Sequence, residues 1–183
     1  IPPFGGQIDY LTYAGIYRDV WLRVTAPVSI GSVKIETPDP LAERKSVRAR
    51  VELRNPDHAP VTGTLNASLR DAAGRTVAAT SMAAAARMQV SFENLADIAL
   101  WDLDAPNLYT LELALGDDSL STSFGFRKAE FTTEGFKLNG RPLKIRGLNR
   151  HQSFPYSGYA LGRAAQEQDA EILTHRLHVN LVR

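Results

Sequence analysis

The 183-residue sequence contains no cysteine. Disulfides and thiolate metal sites are thereby excluded, and the compartment stays open, because cysteine-free proteins occur on either side of a membrane. A surplus of one charge is also missing: the formal net charge is +1. That balance leaves no electrostatic footprint for nucleic acid, and no run of like charge marks a membrane surface or an acidic partner. No apolar run approaches the ~20 residues of a membrane-spanning helix, so helical membrane insertion is not expected. Internal repeats and low-complexity tracts are absent as well. The first residue is Ile1, not Met, and the opening stretch reads as the middle of a longer protein. The lack of a signal peptide therefore carries no information.

What is present suits a globular protein. Hydrophobic residues make up 44% and charged residues 22%, enough for a sizeable core in one large domain or two small ones. Residues 1–26 end in "AGIYRDVWLRVTAP", where Ile16, Val20, Leu22 and Val24 read as a strand closed by Pro27. Residues 27–127 hold seven short alternating segments, at 30–37, 46–55, 61–71, 75–81, 87–95, 108–115 and 120–127. In the second, Val47, Ala49, Val51 and Leu53 share one face and charges take the other. Turn-forming stretches such as "NPDHAP", "DAAGR" and "GDDS" separate the segments. Seven such strands over about a hundred residues predict an immunoglobulin-like β-sandwich without its disulfide. The alanine-rich piece at 82–88 favours helix by propensity, but its length and setting make it a connection or short strand.

Residues 128–183 change character. A hairpin of 136–138 and 143–145 is expected to turn on Asn139-Gly140. Residues 163–177 read as a helix of about four turns, with Ala165, Asp169, Ile172, Leu173 and Leu177 near one face. The apolar run "VNLV" follows. Strand, helix, strand is how a parallel α/β array opens.

Strand ends that precede helices point to one rim, and in a (β/α)8 barrel that rim carries the active site. Asn149, Arg150 and His151 close one such strand, and Arg183 closes the next. Cationic and hydrogen-bonding groups there suit an anionic or polyhydroxylated ligand. Structural ion pairs of Arg150 and Arg183 in a barrel mouth fit the spacing equally well. His151 taken alone reads more often as a structural histidine. His175 and His178 have the spacing of a metal pair, but no third ligand appears, so an exposed helix end is the plainer reading. Glu167, Asp169 and Glu171 read as a solvated helix face. No carboxylate pair in the chain suits the spacing that glycoside hydrolysis needs. Asp9, ahead of "DYLTYAG", reads as a turn or strand-edge residue.

The ordered set "YAGIYRDVWL", "LWDLDAPNLYTLELAL", "FGFR", "FKLNGRPLKIRGLNRHQSFP" and "NLVR" resembles the family-two glycoside hydrolases over nearly the whole chain. The resemblance implies a mainly β architecture in three parts. Residues 1–26 would end a jelly-roll sugar-binding domain, residues 27–127 would be the sandwich, and residues 128–183 would start a catalytic (β/α)8 barrel. Its first strand would be 143–148. The implied roles are hydrogen bonding of a sugar hydroxyl by His151, beside Asn149 and Arg150, and pairing of Arg183 with a nucleophile glutamate. A guanidinium there would keep that carboxylate ionised. Asp9 would contact sugar hydroxyls or a sodium ion. The acid/base and nucleophile glutamates are expected beyond residue 183, so the chain alone should be catalytically silent. No cofactor is required within this stretch, although a sodium or magnesium ion fits a full-length member. The implied parent is a bacterial retaining β-galactosidase acting on β-linked oligosaccharides and compatible with homo-oligomeric assembly. The alternatives are a β-glucuronidase, a β-mannosidase, or a non-catalytic carbohydrate-binding sandwich module. Three positions depart from the family pattern: Gln152 replaces a glutamate, Gly162 stands at a helix cap, and His178 replaces a glycine.

Overall fold

The computed structural model describes residues 15–183. Asp9 lies outside them. Two compact units emerge, one of residues 24–144 and one of residues 15–23 with 145–183.

The first unit is a seven-stranded sandwich with a hairpin sheet. Strands β1 (Ser29–Glu36), β2 (Lys45–Arg54) and β5 (Arg87–Leu95) form one antiparallel sheet in the order β1-β2-β5. Strands β3 (Thr64–Arg70), β4 (Thr76–Ala83), β6 (Tyr109–Leu115) and β7 (Asp118–Phe124) form the other, in the order β4-β3-β6-β7. Each of the seven alternating segments becomes a strand, with ends moved by at most a few residues. The alternation works as read: Val47, Ala49 and Val51 are fully buried, and so are Leu65, Leu69 and Leu111 from the facing sheet. Burying a Val or Leu side chain is worth about 1.5–3 kcal/mol, so these inner rows hold the sheets together. The alanine-rich stretch finishes β4 and turns into β5, without helix. At one edge Asp118 Oδ2 accepts from the Ile30 amide at 2.6 Å, joining the two sheets.

Strands β8 (Ala129–Thr132), β9 (Gly135–Leu138) and β10 (Arg141–Pro142) make a small antiparallel sheet. The turn falls on Asn139-Gly140 as expected, with φ of 51° and 76°. Two successive positive φ values are what a two-residue hairpin turn with strand-matched twist requires. The returning strand begins at Arg141, ahead of the 143–145 expected, because this tight turn lets pairing restart at once. Asn139 also ties the hairpin to the sandwich. Its Oδ1 accepts from the Lys128 amide at 3.0 Å and its Nδ2 donates to the Trp101 carbonyl at 2.9 Å. Trp101 in turn packs on Gly125, where an added Cβ would lie 2.6 Å from the Trp101 Cβ. Arg127 caps the indole at 4.6 Å from its centroid. The hairpin thus belongs to the same compact unit as the sandwich, which continues to Lys144.

The second unit contains a short parallel β-α-β arrangement. Strand β11 (Gly147–Leu148) pairs with β12 (Leu181–Val182), and α1 (Arg163–Glu171) lies between them in sequence. The 143–148 strand is thus reduced to its last two residues. The expected helix of 163–177 is α-helical only to Glu171, and Ile172–Arg176 continue it in a wider π winding closed by Leu177 N–H to the Ile172 carbonyl at 3.0 Å. Gly162 sits at the helix start with extended backbone and no side-chain cap. His178 adopts φ 51°, the left-handed conformation that a glycine would take at less cost. The strand read at Ile16 to Val24 does not form. A strand needs a neighbour to take its amides and carbonyls, and none among the described residues pairs with it. Trp21 is 82% and Leu22 92% exposed there.

Candidate functional site

The site begins with Gly147. An added Cβ there would meet Leu181 Cδ2 at 3.1 Å and the Leu181 carbonyl at 3.2 Å, so glycine lets the two parallel strands close up. Pairing then runs up the strands. The Asn180 amide donates to Arg146 O at 2.9 Å, the Arg183 amide to Leu148 O at 3.0 Å, and the Arg150 amide to Arg183 O at 2.9 Å. Asn180 adds a side-chain bond, its Oδ1 accepting from the Arg146 amide at 2.8 Å. The ladder therefore ends on Arg150 and Arg183, and the two polar strand ends are delivered side by side.

Their side chains have different surroundings. Arg150 is only 18% exposed at the side chain and faces α1. Its Nε donates to Asp169 Oδ2 at 2.9 Å, and its Nη2 bonds the same oxygen. The Arg150 charge is thus matched inside the chain, which is the ion-pair alternative that spacing had left open. Asp169, read as part of a solvated face, is corrected by this contact to an anchor for the strand end. The signal was there: Asp169 is the charged member of the otherwise largely apolar helix face. Arg183 makes no side-chain ion pair among the described residues. Asn149, His151 and Arg183 are exposed.

Sequence reading also missed Arg18. Its Nη2 donates to Gln152 Oε1 at 2.7 Å, and its Nη1 to the Leu161 carbonyl at 3.4 Å. The guanidinium lies 5.7 Å from the Tyr17 ring centre, and Tyr17 stands 5.8 Å from Tyr159. Gly15, Ile16, Tyr17, Arg18, Gln152 and Tyr159 line one shallow depression next to His151 in sequence.

The histidines at the helix end behave as exposed surface groups. His175 Nε2 lies 3.6 Å from Glu171 Oε2, one helical turn back. The His178 carbonyl accepts from Arg146 Nε at 3.3 Å. Among the described residues no group of three or more His, Asp or Glu could hold a metal ion.

The profile of the Glycosyl hydrolases family 2 matches residues 28–127. The whole chain aligns with a β-galactosidase of Rhizobium meliloti at 52% identity and with one of Thermoanaerobacterium thermosulfurigenes at 46%. It spans about a quarter of the length of these relatives, 25% and 27%. Among solved structures, β-glucuronidase 3 of Bacteroides uniformis superposes with a TM-score of 0.83 at 26% identity, over 96% of this chain and 22% of that one. A family 2 member from Bacteroides cellulosilyticus gives 0.75 at 27% identity, over 87% of this chain and 22% of that one. The matched sandwich, carried in a chain that aligns end to end with β-galactosidases, means that the chain belongs to glycosyl hydrolase family 2.

Proposed function

We propose that the protein carrying this chain is a retaining β-galactosidase. The observation that carries the reading is the 52% identity to a β-galactosidase in an alignment that covers the full chain. His151 would hydrogen-bond a sugar hydroxyl, and this bond would strengthen as charge develops in the transition state. Arg183, exposed and without an ion pair among the described residues, would offer its guanidinium to the nucleophile carboxylate and keep it ionised. Two carboxyl groups supplied by the rest of the protein would do the bond chemistry: one attacks the anomeric carbon as the other protonates the departing glycosidic oxygen, and water deprotonated by the second then releases the sugar from the first. Asp9 would add a contact to sugar hydroxyls or to a sodium ion. Arg150, held by Asp169, supports the rim and leaves direct sugar contact to Asn149 and His151.

A β-glucuronidase is the second reading, favoured by the backbone match to the Bacteroides uniformis enzyme. The test is an assay of the full-length protein on aryl β-galactoside, β-glucuronide and β-mannoside. Fastest turnover of the galactoside is expected. Preference for the glucuronide would move the assignment to the second reading, and no turnover of any of the three would remove both.

A further inference from the structure

We infer that Asp169 and Arg18 are positioning residues that hold His151 through its two sequence neighbours. Arg150 precedes His151, and its guanidinium is bonded to Asp169, 19 residues on, by Nε at 2.9 Å and by Nη2. Its main-chain amide is bonded to the Arg183 carbonyl at 2.9 Å. Gln152 follows His151, and its Oε1 accepts from Arg18 Nη2 at 2.7 Å, 134 residues back. Arg18 is itself fixed by the Leu161 carbonyl and the Tyr17 ring. The residues on both sides of His151 are therefore tied to separate parts of the unit, one to the helix and one to the segment before the sandwich.

Such bracketing has a chemical use. A group that must meet a developing charge works only when held within about 0.5 Å of the productive geometry, and the supporting contacts decide whether it is. The bond from the Arg150 amide to the Arg183 carbonyl is the last of the strand ladder before His151. The two charged side chains add restraint on either side of it. Gln152 accepts from Arg18 as a neutral amide, which leaves the guanidinium charge unmatched by that contact.

The inference rests on the reading of His151 as a sugar-binding group, and the experiment separates the two. In the full-length protein, Asp169→Ala and Arg18→Ala should each lower kcat by roughly 10- to 100-fold, the scale of a displaced catalytic contact, with little change in KM. Asp169→Asn should recover part of the loss. In a His151→Ala background the same substitutions should cost less than about 2-fold, because the group they position is gone. Full losses in that background would overturn the inference, since the residues would then act without His151. Amide exchange across residues 149–152 gives a readout independent of activity. It should accelerate about 10-fold or more in either alanine variant, and by less in Asp169→Asn. Unchanged exchange there would also overturn the inference. A wild-type protein that hydrolyses no β-glycoside removes the proposed function alone, and the exchange measurement still decides the anchors.

Discussion

The amide of Arg150 and the carbonyl of Arg183 are joined by a 2.9 Å hydrogen bond, so the pairing of the two parallel strands carries on just past their ends. The bond uses main-chain atoms only. Changing the Arg183 side chain should leave it intact. In the full-length protein, Arg183→Ala should reduce kcat/KM by roughly 100-fold or more, if the guanidinium supports a nucleophile carboxylate as proposed. Arg183→Lys should restore only part, because an ammonium cannot reproduce the planar fork. Wild-type kinetics in the alanine variant would return Arg183 to a surface role.

The contact between Gly125 and Trp101 sets a second expectation. A methyl at position 125 would sit 2.6 Å from the Trp101 Cβ, closer than atoms tolerate. Gly125→Ala should destabilise the sandwich unit by about 1–3 kcal/mol, the usual cost of overpacking. Adding Trp101→Gly, which removes the Trp101 Cβ as well as the ring, should relieve that specific clash, although it brings its own loss of packing. Chemical denaturation of the four proteins of this cycle would measure the coupling, and purely additive losses would rule the contact out.

Acid should act on the sheet face that carries Glu112. The Arg70 Nε, donating at 2.6 Å, holds this carboxyl below its ordinary value, with help from Ser68 Oγ at 3.1 Å. A folded-state value below the unfolded one contributes stability above the ordinary value. That contribution is lost as pH falls from there through the folded value. Glu112→Gln should therefore be less stable than wild type at about pH 7, with the gap closing as pH drops below the ordinary glutamate value of 4.5. Because Arg70 and Glu112 are both substantially exposed, the gap should be small and should shrink with salt. A gap that widens in acid would contradict the sign of the effect.

The 183-residue chain expressed alone should hydrolyse aryl β-galactosides no faster than buffer. Retention needs an acid/base and a nucleophile carboxyl group about 5–5.5 Å apart, and the resemblance implies that both lie outside these residues. Turnover that copurifies with the pure chain through further chromatography would show that a pair has been overlooked.

The sandwich was legible because its period is simple. Along β2, Val47, Ala49 and Val51 alternate with charged residues, and the two-residue period leaves only one way to face a core. The Asn139-Gly140 turn was legible for a local reason, since few residues accept positive φ. Ile16 to Val24 show the limit of the same reasoning. They alternate too, with Arg18 the one charge on the apolar side, yet alternation states which face a strand would bury and says nothing about a partner being there. Arg150 and Asp169 show another limit. Their separation of 19 residues matches no helical or strand period, so only the folded chain brings them together. The π winding at Ile172–Arg176 left no mark in the pattern of apolar residues, and the structure offers no physical account of it.

The parallel pairing of β11 and β12 joins backbone from either side of a helix, with Arg146 and Asn180, 34 residues apart, bonded at its base. Neighbouring strands of the sandwich, such as β3 and β4 or β6 and β7, meet across short turns. On a ribosome adding about 5–20 residues per second, the sandwich can close while the later strand is still being made. For those seconds the amides and carbonyls of β11 have no β12 to meet. The rim that would hold the sugar is thus among the last parts of this stretch to form, and a synonymous change that slows translation between residues 150 and 180 would prolong its exposure. Pulse labelling followed by limited proteolysis of stalled chains would detect this as protection of the sandwich before protection around Gly147. Simultaneous protection of both would mean that the strand end is held by contacts formed earlier.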